Sequence, residues 1–475
     1  MNIGTDRQLF LDDYWIEKSN EVTRVLHSPV RREAAIVMDR PWEDGALHYL
    51  VTFWDEDRYR AWYRASGYTT GNSNTGYAES TDGINWEKPE LGIIDFEGSK
   101  TNNLVWNGPG WNMSLFKDPN PDVPEDERYK AFVRITRKRW ISEGILALVS
   151  PDGLHWKLKQ EAPILDGAPF DSHNIIFWDT WKEKYVAYTR GVDNSNIEPI
   201  TDHQSHTTYK DKVAKGKIQV TKGHEFLGGV RSIRYATSED FVNWTPLQNI
   251  DYGEIPSEHL YTNSCIQYER APGTYLMFPS RFIPYRTSDS MWETPGLSDI
   301  VFMSSRDGFH FDRSFMEGFV RPGLDTNNWH ERGIYMEKGL IETSPTEISI
   351  YGMENSKLPS VNIRRYSLRT DGFVSMNARY SGGEFTTRPF TFEGNQLELN
   401  YSTSAVGSVK VEIQDDKGNA IPGFTLNDCP EMFADLIDGK VTWEGGGDVS
   451  SLAGKPVRLR FALMDADLYA FKFNS

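Results

Sequence analysis

The chain has 475 residues, 38% of them hydrophobic and 13% aromatic, with 51 Lys plus Arg against 68 Asp plus Glu and a net charge of −17. That charge opposes binding to a phosphate backbone, no stretch approaches the ~18 apolar residues of a membrane span, and two cysteines cannot make a disulfide framework. No nucleic acid or membrane partner is expected. Met1–Arg7 lacks the basic and apolar regions of a secretion signal, so a reducing, cytoplasmic setting is the expectation.

In chain order, residues 8–27 read as an extended leader of the kind that pairs with the last unit of a ring and closes it. A unit then repeats. Residues 46–54 form a strand, Asp55-Glu56-Asp57 a hairpin, Arg58–Arg64 the returning strand, and Gly76–Ser80 a third strand that runs into Ser80-Thr81-Asp82-Gly83-Ile84-Asn85-Trp86. The same phrase returns at Ser150–Trp156, Ser238–Trp244 and Ser305–Phe311, with a decayed copy at Thr370-Asp371-Gly372-Phe373; its aspartates are 70, 88, 67 and 64 residues apart. Ser and Asp side chains bond nearby backbone N–H groups, Gly supplies the turn's backbone freedom, and the aromatic anchors the turn, so the phrase is structural. Five copies predict an all-β, five-bladed β-propeller over residues 1–376.

The paired strands of later units are 112–117 with 128–134, 172–178 with 185–190, 262–268 with 274–281, and 333–341 with 347–352. Residues 193–230 form an insertion in the third unit, read as a rim or lid. Its His203, His206 and His224 have no strong ligand spacing, so no metal or other cofactor is expected. From 377 to 475 the phrase disappears and alternating strands with Gly-rich turns predict a C-terminal β-sandwich.

The repeat serves as a ruler. First strands begin, and second strands end, at one face; the hairpins lie on the other. Four second strands end on Arg64, Arg134, Arg190 and Arg281, which predicts a ring of guanidinium groups able to hold a carboxylate, phosphate or sugar hydroxyls; ion pairing between units is the alternative. The starts of first strands bring Glu43, Asp44 and His48; Trp111 and Asn112; Asp171 and His173; Glu258, His259 and Asn263; and Trp329, His330, Glu331 and Arg332 to the same face. Carboxylates gathered there suit glycosidic bond cleavage, in which one acid protonates the leaving oxygen and another activates water or attacks the sugar. Asp171 is the first candidate, sharing one side of its strand with His173; Glu43 and Glu258 follow.

The repeated Ser-x-Asp-Gly-x-x-Trp followed by a sandwich resembles the clan of five-bladed glycoside hydrolases that holds invertases, fructanases and arabinanases. Leu9-Phe10-Leu11-Asp12-Asp13 and Leu368–Ser375 also resemble uncharacterised bacterial proteins described as family 32-like glycosyl hydrolases. The resemblance implies three acids on the first strands of blades one to three; Glu43 and Asp171 correspond by blade position. Phe116-Lys117-Asp118-Pro119 resembles the invertase Arg-Asp-Pro tract, although the ruler places it at a hairpin end. The expected function is hydrolysis of a terminal glycosidic bond in an oligosaccharide or glycoside. The rivals are a non-catalytic sugar-binding propeller, a phosphorylase whose arginines hold phosphate, and a protein-interaction propeller.

Overall fold

The computed structural model describes all residues except 68–72, 139–141, 167, 194–229, 257, 272, 285, 287, 289–295, 331 and 475. Most of the 193–230 insertion, with its three histidines, and Glu331 therefore lie outside the described residues. The protein is all-β, with no α-helix among the described residues.

The repeated phrase builds the turn that its residues dictate. Ser80 Oγ accepts the Gly83 N–H at 2.9 Å, while Asp82 Oδ1 accepts from the N–H groups of Ile84 and Asn85 at 2.8 Å each. The copies at Asp152 and Asp307 repeat these bonds. Gly83, Gly153 and Gly308 take φ of 69–75°, where an L side chain is disfavoured. The third copy puts Phe241 there at φ 69°, and its fully buried ring packs against Phe132 at 5.7 Å and Tyr185 at 5.3 Å.

Each turn seats on the unit before it. Trp62 Nε1 donates to Gly153 O at 2.7 Å and the Tyr188 hydroxyl to Gly308 O at 2.6 Å. Phe241 stacks on Phe132, Phe373 stacks on Phe302, and the Tyr351 hydroxyl reaches back to Gly83 O. A second set of pins runs along the hairpin face, where an aspartate ending one first strand accepts a tyrosine hydroxyl of the next unit: Tyr129 to Asp55 at 2.5 Å, Tyr185 to Asp118 at 2.7 Å and Tyr275 to Asp179 at 2.6 Å. Asp118, matched above to the invertase tract, is thus a pin, also bonded by Lys130 at 2.7 Å.

Strands Ile334–Ser344 and His48–Asp55 meet through a parallel bridge between Lys338 and Val51. The Lys338 amine then donates to Leu115 O at 2.9 Å and Ile176 O at 2.8 Å, so one side chain ties strands from two further places in the chain. Burial lowers its pKa to about 7.

Two elements depart from the sequence-based reading. The leader does not close the ring: Gln8–Leu9, Ile16–Asn20 and Val22–Leu26 pair with Val457–Asn474, Gly383–Thr387 and Val374–Ala378. Val30–Val37 instead adds to the edge strand Asn362–Arg369. The cause is Phe10 and Trp15, whose fully buried rings complete the aromatic core of the C-terminal sheet with Phe385, Phe390 and Phe471. In the fourth unit the expected strands break into Ile266–Gln267, Tyr275–Met277 and Ser280–Ile283, the last pairing with His259–Leu260. The C-terminal strands are longer than expected. Gln396–Asp415 shifts register between Thr403 and Ser408, so its two halves pair successive parts of Val457–Asn474.

The turns predict acid behaviour. Burial works to raise the carboxyls of Asp82, Asp152, Asp240 and Asp307, but the backbone and side-chain donors of each turn outweigh it and hold them at about 2, against 3.8 in the unfolded chain. Their contribution is complete above the unfolded value and is lost as pH falls through about 2. The urea midpoint should therefore drop between about pH 4 and pH 2, and Asp152→Asn should make that drop shallower; an unchanged slope in the variant counts against this account.

Candidate active site

The face where first strands begin is shaped by backbone irregularity. Tyr49, Asn112 and Thr262 take φ of 57°, 58° and 45°. Register shifts lie between His48 and Val51 and between Phe132 and Arg134 on paired strands. Such bulges re-aim side chains, and non-glycine residues hold left-handed conformations only where surrounding contacts enforce them. Glu337 supplies one such contact, its carboxylate accepting the Tyr49 and Leu50 N–H groups at 3.1 and 2.8 Å.

Asp171 sits at the centre of this face. Arg134 Nη1 is 3.6 Å from its Oδ1, and Arg190 Nη1 is 3.6 Å from its Oδ2 and donates to its backbone carbonyl at 3.2 Å. Its side chain keeps 30% of its surface, more than either arginine. Enclosure pushes its carboxyl up, but Arg134, Arg190, Arg332 and Arg64 together hold it below the ordinary range. Asp171 is therefore an ionised, solvent-reached carboxylate at neutral pH.

Arg64 is fixed by its neighbours: Nε donates to Ala46 O at 3.0 Å, Nη1 to Asn112 Oδ1 at 2.9 Å, and Nη2 contacts His48 Nε2. Asn112 passes the connection on to Ser172 O at 3.2 Å, beside Asp171. Trp111 lies under the Arg134 guanidinium, 5.8 Å from its ring centre. Below Asp171 is an aromatic layer in which the His173 ring lies 5.1 Å from Tyr49, Tyr49 meets the Tyr261 hydroxyl at 3.5 Å, and Tyr335 lies 5.6 Å from Tyr261. Burial, with the cationic neighbours Lys338 and Arg64, drives His173 down to about 3, so it is neutral and serves as packing.

Asp171, Arg64, Arg134, Arg190, Arg332, Asn112, Trp111 and His173 are thus brought together. The other candidates are not. Glu43 has no exposed side-chain surface: it takes Lys88 Nζ at 2.6 and 2.9 Å, the Tyr63 hydroxyl at 2.7 Å, and the N–H groups of Asp39 and Arg40 at 2.9 and 3.1 Å. A carboxylate so enclosed cannot reach a sugar. Asp44 accepts the Ala46 and Gly67 N–H groups at 2.8 and 3.0 Å, which makes it a turn residue.

Glu258 is claimed by Arg281 and Arg313 at 3.0 Å each, and Arg281 by Asp299 at 2.5 and 2.8 Å. This second ion cluster withdraws both Glu258 and the fourth register-matched arginine from Asp171. Asn263 bonds Tyr188 O at 3.2 Å and the Cys265 N–H at 3.1 Å, joining two units. Trp329 donates its indole N–H to Gly323 O at 2.9 Å. Glu43→Gln should therefore keep its specific turnover while losing about 1–3 kcal/mol of stability, because the buried Lys88 keeps Asp39 but loses its enclosed charge partner; inactivity in a folded variant would return Glu43 to the chemistry.

Arg231 was not found from the sequence. It opens Val230–Ser238, opposite Val192, and it carries no turn or motif signal. Its guanidinium stacks 4.2 Å above the Phe282 ring and 5.3 Å from Tyr261, whose ring Arg190 also faces at 5.4 Å. At the opposite, hairpin face lies a cavity of about 800 Å³ walled by Phe53, Trp54, Phe116, Phe177, Trp178 and Leu340, with Lys117, Glu269 and the Arg270–Glu342 pair also on its lining.

No protein-family model matches the chain. No curated protein matches it either. Among solved structures, it is similar to a glycoside hydrolase family 43 arabinoxylan arabinofuranohydrolase from Bacillus subtilis, at 12% identity over 93% of this chain and 99% of that one, with a TM-score of 0.40. A GH32 β-fructofuranosidase from Bombyx mori matches at 10% identity over 93% and 94% of the two chains, TM-score 0.43. A structure reported for the GH130 family of mannoside phosphorylases and hydrolases matches at 14% identity over 72% and 94%, TM-score 0.42.

Proposed function

We propose that this chain is a five-bladed β-propeller with a C-terminal β-sandwich that acts on a carbohydrate, cleaving a terminal glycosidic bond at the mouth that holds Asp171. Five turn-to-unit seatings, the last returning from Tyr351 to Gly83, support the blade count. The observation that carries the function is Asp171 itself, an ionised carboxylate reached by solvent, gripped from both sides by Arg134 and Arg190 and bordered by Trp111 and Asn112. Aromatic faces stack on sugar rings, and an ionised carboxylate takes a proton from attacking water as that water's oxygen bonds to the anomeric carbon and the glycosidic C–O bond breaks, the leaving oxygen taking a proton from solvent.

A second reading, phosphorolysis, is favoured by one feature. Glu43, Asp44 and Glu258 are all engaged by other groups, which leaves Asp171 without a free carboxylate partner among them. In that reaction a phosphate oxygen bonds to the anomeric carbon as the glycosidic C–O bond breaks, and the protonated Asp171 gives its proton to the leaving oxygen. Aryl glycosides and oligosaccharides should be screened with and without phosphate. Product formed without phosphate selects hydrolysis, phosphate-dependent product selects phosphorolysis, and no product from any substrate removes the enzymatic reading.

A further inference from the structure

We infer that Arg190 and Arg231, whose guanidinium groups both lie over the Tyr261 ring, form an oxyanion cradle beside Asp171 that receives either a carboxylate on the sugar or a phosphate. The inference rests on the carbohydrate reading above and names the ligand chemistry of the same mouth.

Arg231 carries it. The guanidinium is enclosed, yet among the described residues it makes no ion pair, and its Nε is buried without a hydrogen-bond partner there. Its neighbours are aromatic faces and further cations: burial, then Arg190, bring it down to about 10 against the opposing effect of Tyr261 and Tyr335, so it stays charged at neutral pH. The Nε of Arg190 is likewise buried and unbonded. Asp193, which ends Arg190's own strand opposite Val230, acts on Arg234 and Tyr252, while Glu258 is committed to Arg281 and Arg313 and Asp299 to Arg281. Asp171 meets Arg190 only at 3.6 Å, longer than a charge-assisted hydrogen bond. Two guanidinium groups, each with a buried Nε that bonds no described residue, suit an anion, and planar forks match carboxylate and phosphate oxygens.

The cradle also bears on Asp171. An anion seated on Arg190 offsets part of the positive field that keeps the Asp171 carboxyl low, and the opposing effect of enclosure then raises it. With phosphate as the anion, this moves Asp171 toward the protonated form that the phosphorolytic reading requires.

The test is calorimetric titration of the intact chain at low salt with inorganic phosphate, glucuronate, galacturonate and, as the neutral control, glucose. One oxyanion should bind at least about ten-fold more tightly than glucose, and Arg231→Met should weaken it by about ten-fold or more, with Arg231→Lys in between. A preference for the uronates assigns the anion to the sugar; a preference for phosphate assigns it to a co-substrate. Equal binding of glucose and every oxyanion by the wild type overturns the inference, whether or not the variants fold. Anion binding without cleavage of any glycoside would leave the cradle standing and remove the proposed function. Cleavage of neutral glycosides without anion binding would do the reverse.

Discussion

Asp171→Asn should lower turnover by about 10²–10⁴-fold on any substrate that the wild type cleaves, with the fold retained. The amide has the same shape and keeps one acceptor oxygen, but it cannot hold a proton at the working pH. Substrate affinity should change far less than turnover, because Trp111, Asn112 and Arg64 remain in place. The arginines make the variant diagnostic. Arg134 and Arg190 already sit at 3.6 Å without tight bonds to the carboxylate, so its loss alters their electrostatics more than their positions. Steady-state kinetics and circular dichroism on the same preparation decide the matter: full turnover in a folded variant contradicts the assignment.

The second large effect is on stability. Asp371→Ala should cost about 3–5 kcal/mol, read as a fall in the urea midpoint. The Asp371 carboxylate has no exposed surface and collects the Tyr268 hydroxyl at 2.6 Å, Arg270 at 2.8 and 3.1 Å, Asn400 at 3.2 Å and Arg7 at 3.3 Å. These come from the fourth unit, the leader and the C-terminal sheet. Removing the acid leaves Arg7, itself 5% exposed, facing Asp371's emptied position with only the half-exposed Asp438 as its remaining charge partner. A loss under about 1 kcal/mol would show that the hub is not cooperative.

Asp371 also marks the limit of what the sequence discloses. It occupies the Asp position of the decayed fifth phrase, and alignment to the other copies assigns it a turn. Its oxygens instead bond partners from 29 to 103 residues away, and Arg7 from 364 residues away. What is local was legible: the turns of Asp82, Asp152 and Asp307, and the placing of Arg134 and Arg190 at Asp171, although Tyr129–Lys138 and Lys184–Asp193 run on past these arginines and do not end there.

What depends on remote partners was not legible. Nothing near Glu43 announces that Lys88 will enclose it, and nothing near Arg281 announces Asp299. The leader's pairing of Gln8 with Phe471 spans almost the whole chain. Arg231 stands in an unremarkable Val-Arg-Ser-Ile run, and only the third dimension sets it over the same Tyr261 ring as Arg190.

The central claim is tested most directly by a crystal structure of Asp171→Asn soaked with a glycoside that the wild type cleaves. The account predicts the sugar at the arginine mouth, stacked near Trp111, with its glycosidic or anomeric centre within a single water's reach of residue 171. Sugar bound instead in the aromatic cavity of the hairpin face, with the mouth around residue 171 holding only solvent, would contradict it.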